Sequence, residues 1–359
     1  MVCFLRASTL RYDVRLQKYV QACIDENISY LVISWDRLND SNVSPNEIQF
    51  KKKTPYGRRW RNLWAHITWQ CFLLKILLVR QKQYKVIHAC NIETILPALF
   101  MKLFGKKVVF DIYDSCIIKI ERQVAKIVDL LILPNKKRFA QISVQEADVR
   151  AFLEIENVPT IKYTSFKHEI KDAPVRLSYV GVFEKDVRGL EGLIREVLDN
   201  DNIELTIAGT GAGLETMVNE AANICQRINY LGVVNYAKAL EVMSESDFIV
   251  AQYYLVNPLH KFASPNKYYE SLCLGTPVIT TVKTLVGDMA AENNVGYAIG
   301  EAKDDLHKFL STVQTDGFKK DYIEKSTNCL RLWDEQYADY YNLKLRQAYI
   351  DHIRQLSLR

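Results

Sequence analysis

The stretch Phe262-Ala-Ser-Pro-Asn-Lys-Tyr-Tyr-Glu-Ser-Leu-Cys-Leu-Gly-Thr-Pro-Val-Ile279 decides how this chain is read. It runs from a helix start through a charged face to a buried strand. Ser264 is a good N-cap, and Pro265 suits the first helical position. The free N–H groups of such a start, with Lys267 beside them, suit an anion such as a diphosphate. Glu270 lies further along the same helix, where a carboxylate can accept from two neighbouring hydroxyls. Gly275 closes the helix, and Pro277-Val-Ile279 opens a short apolar strand. The plainer alternative is a capped helix packed on a sheet.

Working outward, strand and helix signals alternate through the whole second half. Strands are expected at 176–180, 203–208, 228–230, 248–250 and 277–280, and helices at 189–198, 212–225, 236–244, 265–273 and 302–314. The first half carries the same alternation. Its strands are expected at 2–6, 30–34, 86–89, 107–112 and 130–134, and its helices at 14–26, 61–80, 92–103, 117–128 and 136–147. Such alternation means βαβ units and a parallel sheet, and two sets of them mean two α/β domains. Ligands of doubly wound sheets bind beyond the carboxyl ends of the strands. Pro159 and Pro174 bracket a linker near 160–174, and a tyrosine-rich helical pattern fills about 331–357. The domains are therefore placed at 1–165 and 166–335, with 336–359 as a helical tail.

A length of 359 residues suits two domains, and 48% hydrophobic with 25% charged residues is the balance of a soluble globular protein. The eight cysteines are scattered without a C-x-x-C pair, which argues against a zinc site or a disulfide framework and fits a reducing cytoplasm. Met1-Val-Cys-Phe-Leu-Arg6 lacks the apolar core and cleavage site of a signal peptide and reads as a first strand.

Charge is unevenly distributed. No Asp or Glu occurs from Lys51 to Ile92, while Lys51, Lys52, Lys53, Arg58, Arg59, Arg61, Lys75, Arg80, Lys82 and Lys85 all fall there. The remainder holds every acidic residue and is net negative although the chain is +5 overall. Trp60, Trp64 and Trp69 lie inside the basic block, and apolar residues recur at helical spacing from 60 to 78. Basic, tryptophan-bearing amphipathic helices lie on anionic membranes, so residues 51–80 are expected to meet a membrane surface. A spanning helix needs roughly 20 apolar residues, and Lys75 interrupts a shorter run. A core helix behind a solvated basic loop is the competing reading. Nucleic acid is not expected as a partner, since no recognition motif accompanies the charge.

Several stretches resemble GT-B glycosyltransferases of family 4, of the bacterial polysaccharide or capsule type. Tyr12-Asp-Val-Arg15 with Trp35-Asp-Arg37 looks like their first βαβ unit. His88-Ala-Cys-Asn-Ile-Glu-Thr-Ile-Leu-Pro97 and Val108-Val-Phe-Asp-Ile-Tyr-Asp114 are similar to the strand ends that follow. Tyr179-Val-Gly-Val-Phe-Glu-Lys-Asp-Val-Arg-Gly-Leu190 resembles the loop that binds donor phosphates. Ile207-Ala-Gly-Thr-Gly211 and Tyr230-Leu-Gly-Val-Val234 resemble the loops around the base and ribose, and the 262–279 stretch resembles the donor helix. The resemblance implies two doubly wound Rossmann-like domains facing across a cleft, with a C-terminal helix crossing back to the first.

It also implies roles. Gly181, Gly209, Gly211, Val234, Ser264, Pro265, Asn266 and Glu270 would bind the nucleotide-sugar donor, with Glu270 on the ribose. Arg188 and Lys267 would stabilise the leaving diphosphate, and Asp114 would orient the acceptor. Asp13, Arg15, His88, Asn91, Glu93 and Tyr113 would line the acceptor side. Local readings stay open beside these: Asp13 and Arg15 can pair with each other, Asn91 can be an N-cap, His88 can be a core histidine, and Asp111 is expected to be buried.

The chain departs from the family pattern at defined points. Many relatives carry two glutamates eight positions apart on the donor loop and helix. The second is Glu270, but Phe262 stands at the first. Val182 replaces a frequent arginine, Arg188 stands where lysine is frequent, and Tyr113 occupies the position of a common histidine. Ala7-Ser-Thr-Leu10 stands where a glycine-rich turn is usual.

The function implied is retaining transfer of a UDP- or GDP-linked sugar to a lipid-linked saccharide, in cell-surface polysaccharide biosynthesis. The protein would be cytoplasmic and peripheral on the inner membrane face. No cofactor is expected, since sugar transfer needs no redox group. No metal is expected either, since no Asp-x-Asp pattern marks a cation site. The alternatives are a sugar-nucleotide epimerase on the same fold and a non-catalytic GT-B subunit.

Overall fold

A computed structural model of the chain describes residues 1–37, 39, 43–54, 62–114, 117–160, 174–211, 213–313 and 315–358. Arg58, Arg59, Trp60 and Arg61 of the basic block, and most of the expected linker, lie outside the described residues. The chain forms two compact units, Met1–Glu156 with Asp339–Arg359, and Asn157–Ala338.

The first unit is built on a seven-stranded parallel sheet. Its strands are β1 (Val2–Arg6), β2 (Tyr30–Asp36), β3 (Glu47–Lys51), β4 (Val86–Cys90), β5 (Lys107–Asp111), β6 (Leu130–Leu133) and β7 (Phe152–Glu154). They lie in the order β3-β2-β1-β4-β5-β6-β7, so the winding reverses between β1 and β4. Inner strands such as Val-Cys-Phe-Leu of β1 are apolar throughout because helices cover both faces. The edge strands β3 and β7 were not expected. Glu47-Ile-Gln-Phe-Lys51 alternates polar and apolar with only one residue buried, and β7 has three residues, so neither shows a long apolar run.

Helices α1 (Val14–Asp25), α2 (Leu63–Val79), α3 (Ile92–Phe100), α4 (Ile118–Ile127) and α5 (Arg138–Ile142) connect these strands. The helix expected over 136–147 stops at α5 because Ser143 turns left-handed at φ 53°. In α2 the residues Ala65, Trp69, Leu73 and Leu77 recur every four positions and are buried against the sheet. Trp69 is 0% exposed and packs on Trp35 and Phe50, which corrects its reading as a membrane anchor. Trp64, at 76% exposure, stays outside with Leu63, Ile67 and Val79.

The second unit has six parallel strands: β8 (Val175–Val182), β9 (Ile203–Thr210), β10 (Ile228–Tyr230), β11 (Phe248–Val250), β12 (Val278–Thr281) and β13 (Gly296–Ile299). Their order, β10-β9-β8-β11-β12-β13, reverses between β8 and β11. Helices α6 (Leu190–Asp199), α7 (Glu215–Ile224), α8 (Tyr236–Ser244), α9 (Asn266–Leu274), α10 (Leu285–Glu292) and α11 (Asp305–Thr312) flank the sheet. β13 and α10 went unforeseen: the strand opens on Gly296, and α10 is a short helix carrying Gly287 inside it.

The tail is longer than its expected pattern at 331–357. Helix α12 (Asp316–Leu332) leads into widened π segments at Trp333–Tyr337 and Tyr341–Tyr349, then α13 (Ile350–Leu358). Tyr349, Ile350 and Ile353 complete the apolar layer beneath α1 in the first unit.

Candidate functional site

Each sheet gathers polar side chains just past its reversal point, which is where doubly wound sheets take ligands. In the second unit β8 and β9 end in two glycines that let their backbones touch. A Cβ on Gly209 (φ 141°) would lie 1.8 Å from the carbonyl oxygen of Gly181. Gly181 (φ 136°) in turn leaves room for Lys267, whose Nζ would be 2.8 Å from a Cβ there. Gly211 packs equally closely on Phe183.

Lys267 comes from the first turn of α9. Its ammonium makes no hydrogen bond or ion pair among the described residues. Burial pushes its pKa below the ordinary lysine value, with the charge of Glu270 opposing that shift and Arg188 adding to it. Glu270, one turn on, is only 4% exposed, and its Oε1 accepts the Tyr236 hydroxyl at 2.9 Å. Burial followed by the Glu270 carboxylate pushes the Tyr236 phenol well up, so it remains a donor. Tyr236 was missed in the sequence, although it follows Val234 by two residues and opens α8 behind the N-cap Asn235.

Arg188 rises from the loop after β8. Its Nε donates to Glu184 Oε2 at 3.0 Å, and its guanidinium lies 4.5 Å from the centre of the Tyr253 ring. Burial works against its charge, but Tyr253 and Glu184 outweigh it and raise the pKa. His260 places Nε2 3.8 Å from the same Glu184 oxygen and Nδ1 3.0 Å from the Tyr254 carbonyl. A carbonyl only accepts, so Nδ1 carries the proton. Burial, then Arg188, holds His260 below its usual pKa.

The helix start differs from the expected one. Pro265, in extended conformation, occupies the N-cap position, so Ser264 does not cap α9. Ser264 Oγ is buried without a hydrogen-bond partner, while Asn266 is exposed at the first helical position. A proline ring fixes φ but supplies no side-chain acceptor, which leaves the N–H groups of this turn uncapped by side chains. Gly275 closes the helix in the left-handed conformation, as expected. Val234 is half-buried, and the half-buried Phe262 lies 5.7 Å from Lys261 Nζ.

In the first unit the centre is Asp111, at the end of β5. It accepts from Arg15 Nε at 3.1 Å, Arg15 Nη2 at 2.9 Å and the Tyr19 hydroxyl at 2.7 Å. Arg15 Nη1 donates to the Ile155 carbonyl at 2.6 Å. Burial alone would raise the Asp111 pKa, but Arg15 and then His88 overcome it and hold the carboxylate charged. His88 is 0% exposed, with Nδ1 2.9 Å from the Tyr349 hydroxyl and Nε2 3.5 Å from Asp111, and burial lowers its pKa. Arg15 and His88, expected on the acceptor side, belong to a buried network. Asp13 does not pair with Arg15: its Oδ2 takes Arg6 Nε, and its Oδ1 caps α1 by accepting Leu16 N–H at 2.8 Å.

Above this network lie Tyr113, Arg6 and Glu93. The Arg6 guanidinium sits 4.3 Å from the centre of the Tyr113 ring. Asn91 has φ 61° and does not cap α3; its Oδ1 instead accepts the Tyr113 N–H at 2.7 Å and the Asp114 N–H at 3.4 Å. Glu93 Oε2 is buried without a hydrogen-bond partner, and Asp114 is exposed on the turn after β5. Arg138, missed in the sequence, is buried and supports this turn by donating to the Tyr113 carbonyl at 2.6 Å. Arg6, Arg138 and Glu184 carried no local signal, because their partners lie on other elements or, for Glu184, in an irregular loop.

Residues 174–315 match the profile of the family described as Glycosyl transferases group 1. Comparison with curated protein sequences gives no match. Among solved structures, the chain is similar to sucrose-phosphate synthase (tll1590) from Thermosynechococcus elongatus, with a TM-score of 0.71 at 13% identity, covering 99% of this chain and 100% of that one. It is also similar to the structure described as "Trehalose-6-phosphate from E. coli bound with UDP-2-fluoro glucose" (TM-score 0.68, 9% identity, covering 100% and 99%). A third is a UDP-N-acetylglucosamine 2-epimerase, so described provisionally, from Listeria monocytogenes (TM-score 0.62, 12% identity, covering 92% and 94%). At these identities the likeness establishes the fold, two Rossmann-like α/β units of GT-B type.

Proposed function

We propose that this protein is a retaining glycosyltransferase that moves a sugar from a nucleotide diphosphate to a lipid-linked saccharide, in cell-surface polysaccharide biosynthesis. The observation that carries the reading is the unpaired Lys267 ammonium held against Gly181, with Arg188 close enough to lower its pKa. Two cations at a glycine-bared strand end, beside uncapped helix N–H groups, suit a diphosphate. Glu270 and Tyr236 then meet the ribose hydroxyls. The match of residues 174–315 to a glycosyltransferase family supports the same assignment.

In the reaction the bond from the anomeric carbon to the diphosphate breaks, and the acceptor oxygen bonds to that carbon on the same face. The departing phosphate oxygen takes the acceptor's proton. Charge grows on the diphosphate in the transition state, so Arg188 and Lys267 contribute about 2–4 kcal/mol each, by analogy with oxyanion donors. Tyr113, Arg6, Glu93 and Asp114 are the groups offered to the acceptor. The acid-free basic block and the exposed Leu63, Trp64 and Ile67 of α2 support work at the cytoplasmic face of a membrane. Among the described residues no helix is long and apolar enough to cross one.

Likeness to the Listeria structure favours one second reading, epimerisation of the nucleotide sugar. Incubating the protein with UDP- and GDP-sugars, with and without lipid-linked acceptor, separates the two. Transfer requires acceptor-dependent release of nucleotide diphosphate. An epimer formed without acceptor overturns it, and binding without turnover marks a non-catalytic subunit.

A further inference from the structure

The loop that carries Arg188 has a second side. A cavity of about 240 Å³ opens there, between the starts of α6 and α11, and neither Arg188, Lys267 nor Glu270 is among its lining residues. Tyr253 stacks on Arg188, whereas its sequence neighbours Gln252 and Tyr254 line the cavity.

Gln252 is 2% exposed, and its Oε1 has no hydrogen-bond partner. That oxygen would lie 2.2 Å from a Cβ on Gly189 (φ 73°), so it points at a wall kept bare by glycine. Gly192, where a Cβ would meet nothing within 4 Å, bares the wall further. An unpaired amide oxygen in a buried place is costly; the Gln252 oxygen is closed off against Gly189, so a turn of the amide toward the cavity lets a ligand hydroxyl remove that cost. The Tyr254 hydroxyl would lie 3.0 Å from the same Cβ position, and so stands close to the Gln252 oxygen.

The charges narrow the ligand. Asp186, Glu191 and Glu301 outnumber Arg195 and Lys303 on the lining, which disfavours phosphates and carboxylates. Glu191 and Glu301 are each fixed by one oxygen, to the Asp186 N–H at 2.8 Å and the Leu255 N–H at 2.7 Å. Each keeps a second oxygen uncommitted among the described residues, as do the donors of Arg195 and Lys303. Acceptors and donors so mixed suit hydroxyls, which both give and take hydrogen bonds. The volume equals the share of about eight waters at roughly 30 Å³ each. That is room for a single sugar ring.

We propose that this cavity is a second carbohydrate site, separate from the donor site, that takes one neutral, unphosphorylated hexose. Binding requires only the sugar and no turnover. The site is joined to the donor side by the backbone, because Tyr254 N–H donates to the Val187 carbonyl at 2.9 Å. An occupied cavity fixes the loop between Asp186 and Gly189, both at positive φ, and with it Arg188. Hexose and nucleotide diphosphate should then strengthen each other's binding reciprocally.

Ligand-observed NMR on the full chain tests this, with glucose, galactose and mannose titrated in the presence of saturating UDP and GDP. At least one hexose should bind saturably at millimolar concentration, and glucose 6-phosphate should bind more weakly. Gln252→Leu and Tyr254→Phe should each weaken the hexose about tenfold while leaving UDP and GDP binding in place. Should Gln252→Leu fail to fold, Tyr254→Phe, which removes a single oxygen, carries the comparison. Absence of hexose binding, displacement of hexose by nucleotide, tighter binding of the phosphorylated sugar, or wild-type binding by the folded variants overturns the proposal.

Discussion

An ammonium without an ion pair among the described residues is held at Gly181 against its own solvation, and that has two measurable results at the scale of the residue. Lys267→Met should raise the ligand-free melting temperature, at about 2–4 °C per kcal/mol for a unit of this size, and weaken nucleotide diphosphate binding at least about tenfold. Differential scanning fluorimetry and calorimetric titration read both. The pH dependence has a definite sign. The folded pKa of Lys267 lies below the unfolded value, so ligand-free stability gains from this group as pH rises from the folded pKa towards 10.5. A bound diphosphate favours the charged form, so nucleotide affinity should fall with pH across that window in the wild type and stay flatter in Lys267→Met. Tyr236→Phe should raise the donor KM several-fold with little loss of kcat, since it removes an aligning hydrogen bond from Glu270; Glu270→Ala should raise KM further. Equal donor kinetics in all three proteins would remove Glu270 from the ribose. The placing of Lys267 and Glu270 on one helix and of Arg188 beside a glycine turn was legible from their offsets in the sequence. Tyr236 and Glu184 were not, because a pairing between elements or within an irregular loop leaves no periodic trace in either partner.

At the scale of the element, the glycine pair at the ends of β8 and β9 is a close backbone approach. Gly209→Ala forces a Cβ into the Gly181 carbonyl at positive φ and should destabilise by on the order of 3 kcal/mol or more. Gly105→Ala also has positive φ but meets nothing within 4 Å, so about 1 kcal/mol is expected there. Denaturant midpoints of the two variants give the comparison, and similar losses would mean that the contact is absent. Inner strands and long helices were readable because burial on both faces writes a continuous apolar run. The edges β3 and β7, with one face or few residues to bury, write none. Ser264 resembles a cap in sequence, but the choice between Ser264 and Pro265 is settled by backbone geometry alone.

For the whole molecule, charge and exposed apolar surface coincide in the first unit. Phe100, Leu103 and Phe104 are exposed on and after α3, which packs against α2. Anionic vesicles should bind the protein reversibly and less well as salt rises, since each basic residue near the surface contributes about 1 kcal/mol. Changing Lys51, Lys52, Lys53, Arg58, Arg59 and Arg61 together to Gln, or Trp64 to Ser, should weaken flotation with vesicles. Unaltered flotation in both would leave α2 as a core helix beside a solvated loop. Activity should survive a chelator, because Arg188, Lys267 and a helix start supply the positive charge; rescue of a chelated enzyme by magnesium or manganese would refute that. The two units were legible because the strand–helix pattern restarts after residue 174.

The last twenty-one residues, Asp339–Arg359, belong with the first 156. Tyr349 reaches His88 and packs at a tilt on Tyr19, so the heart of the first unit lacks a wall until that tail arrives. On the ribosome, at about 5–20 residues per second, the leading half must wait for the trailing end to emerge. The second unit is continuous in sequence and can close first, which inverts the usual order of co-translational folding. A nascent chain stalled after residue 338 should therefore protect the second unit from protease while the first remains cleavable around His88.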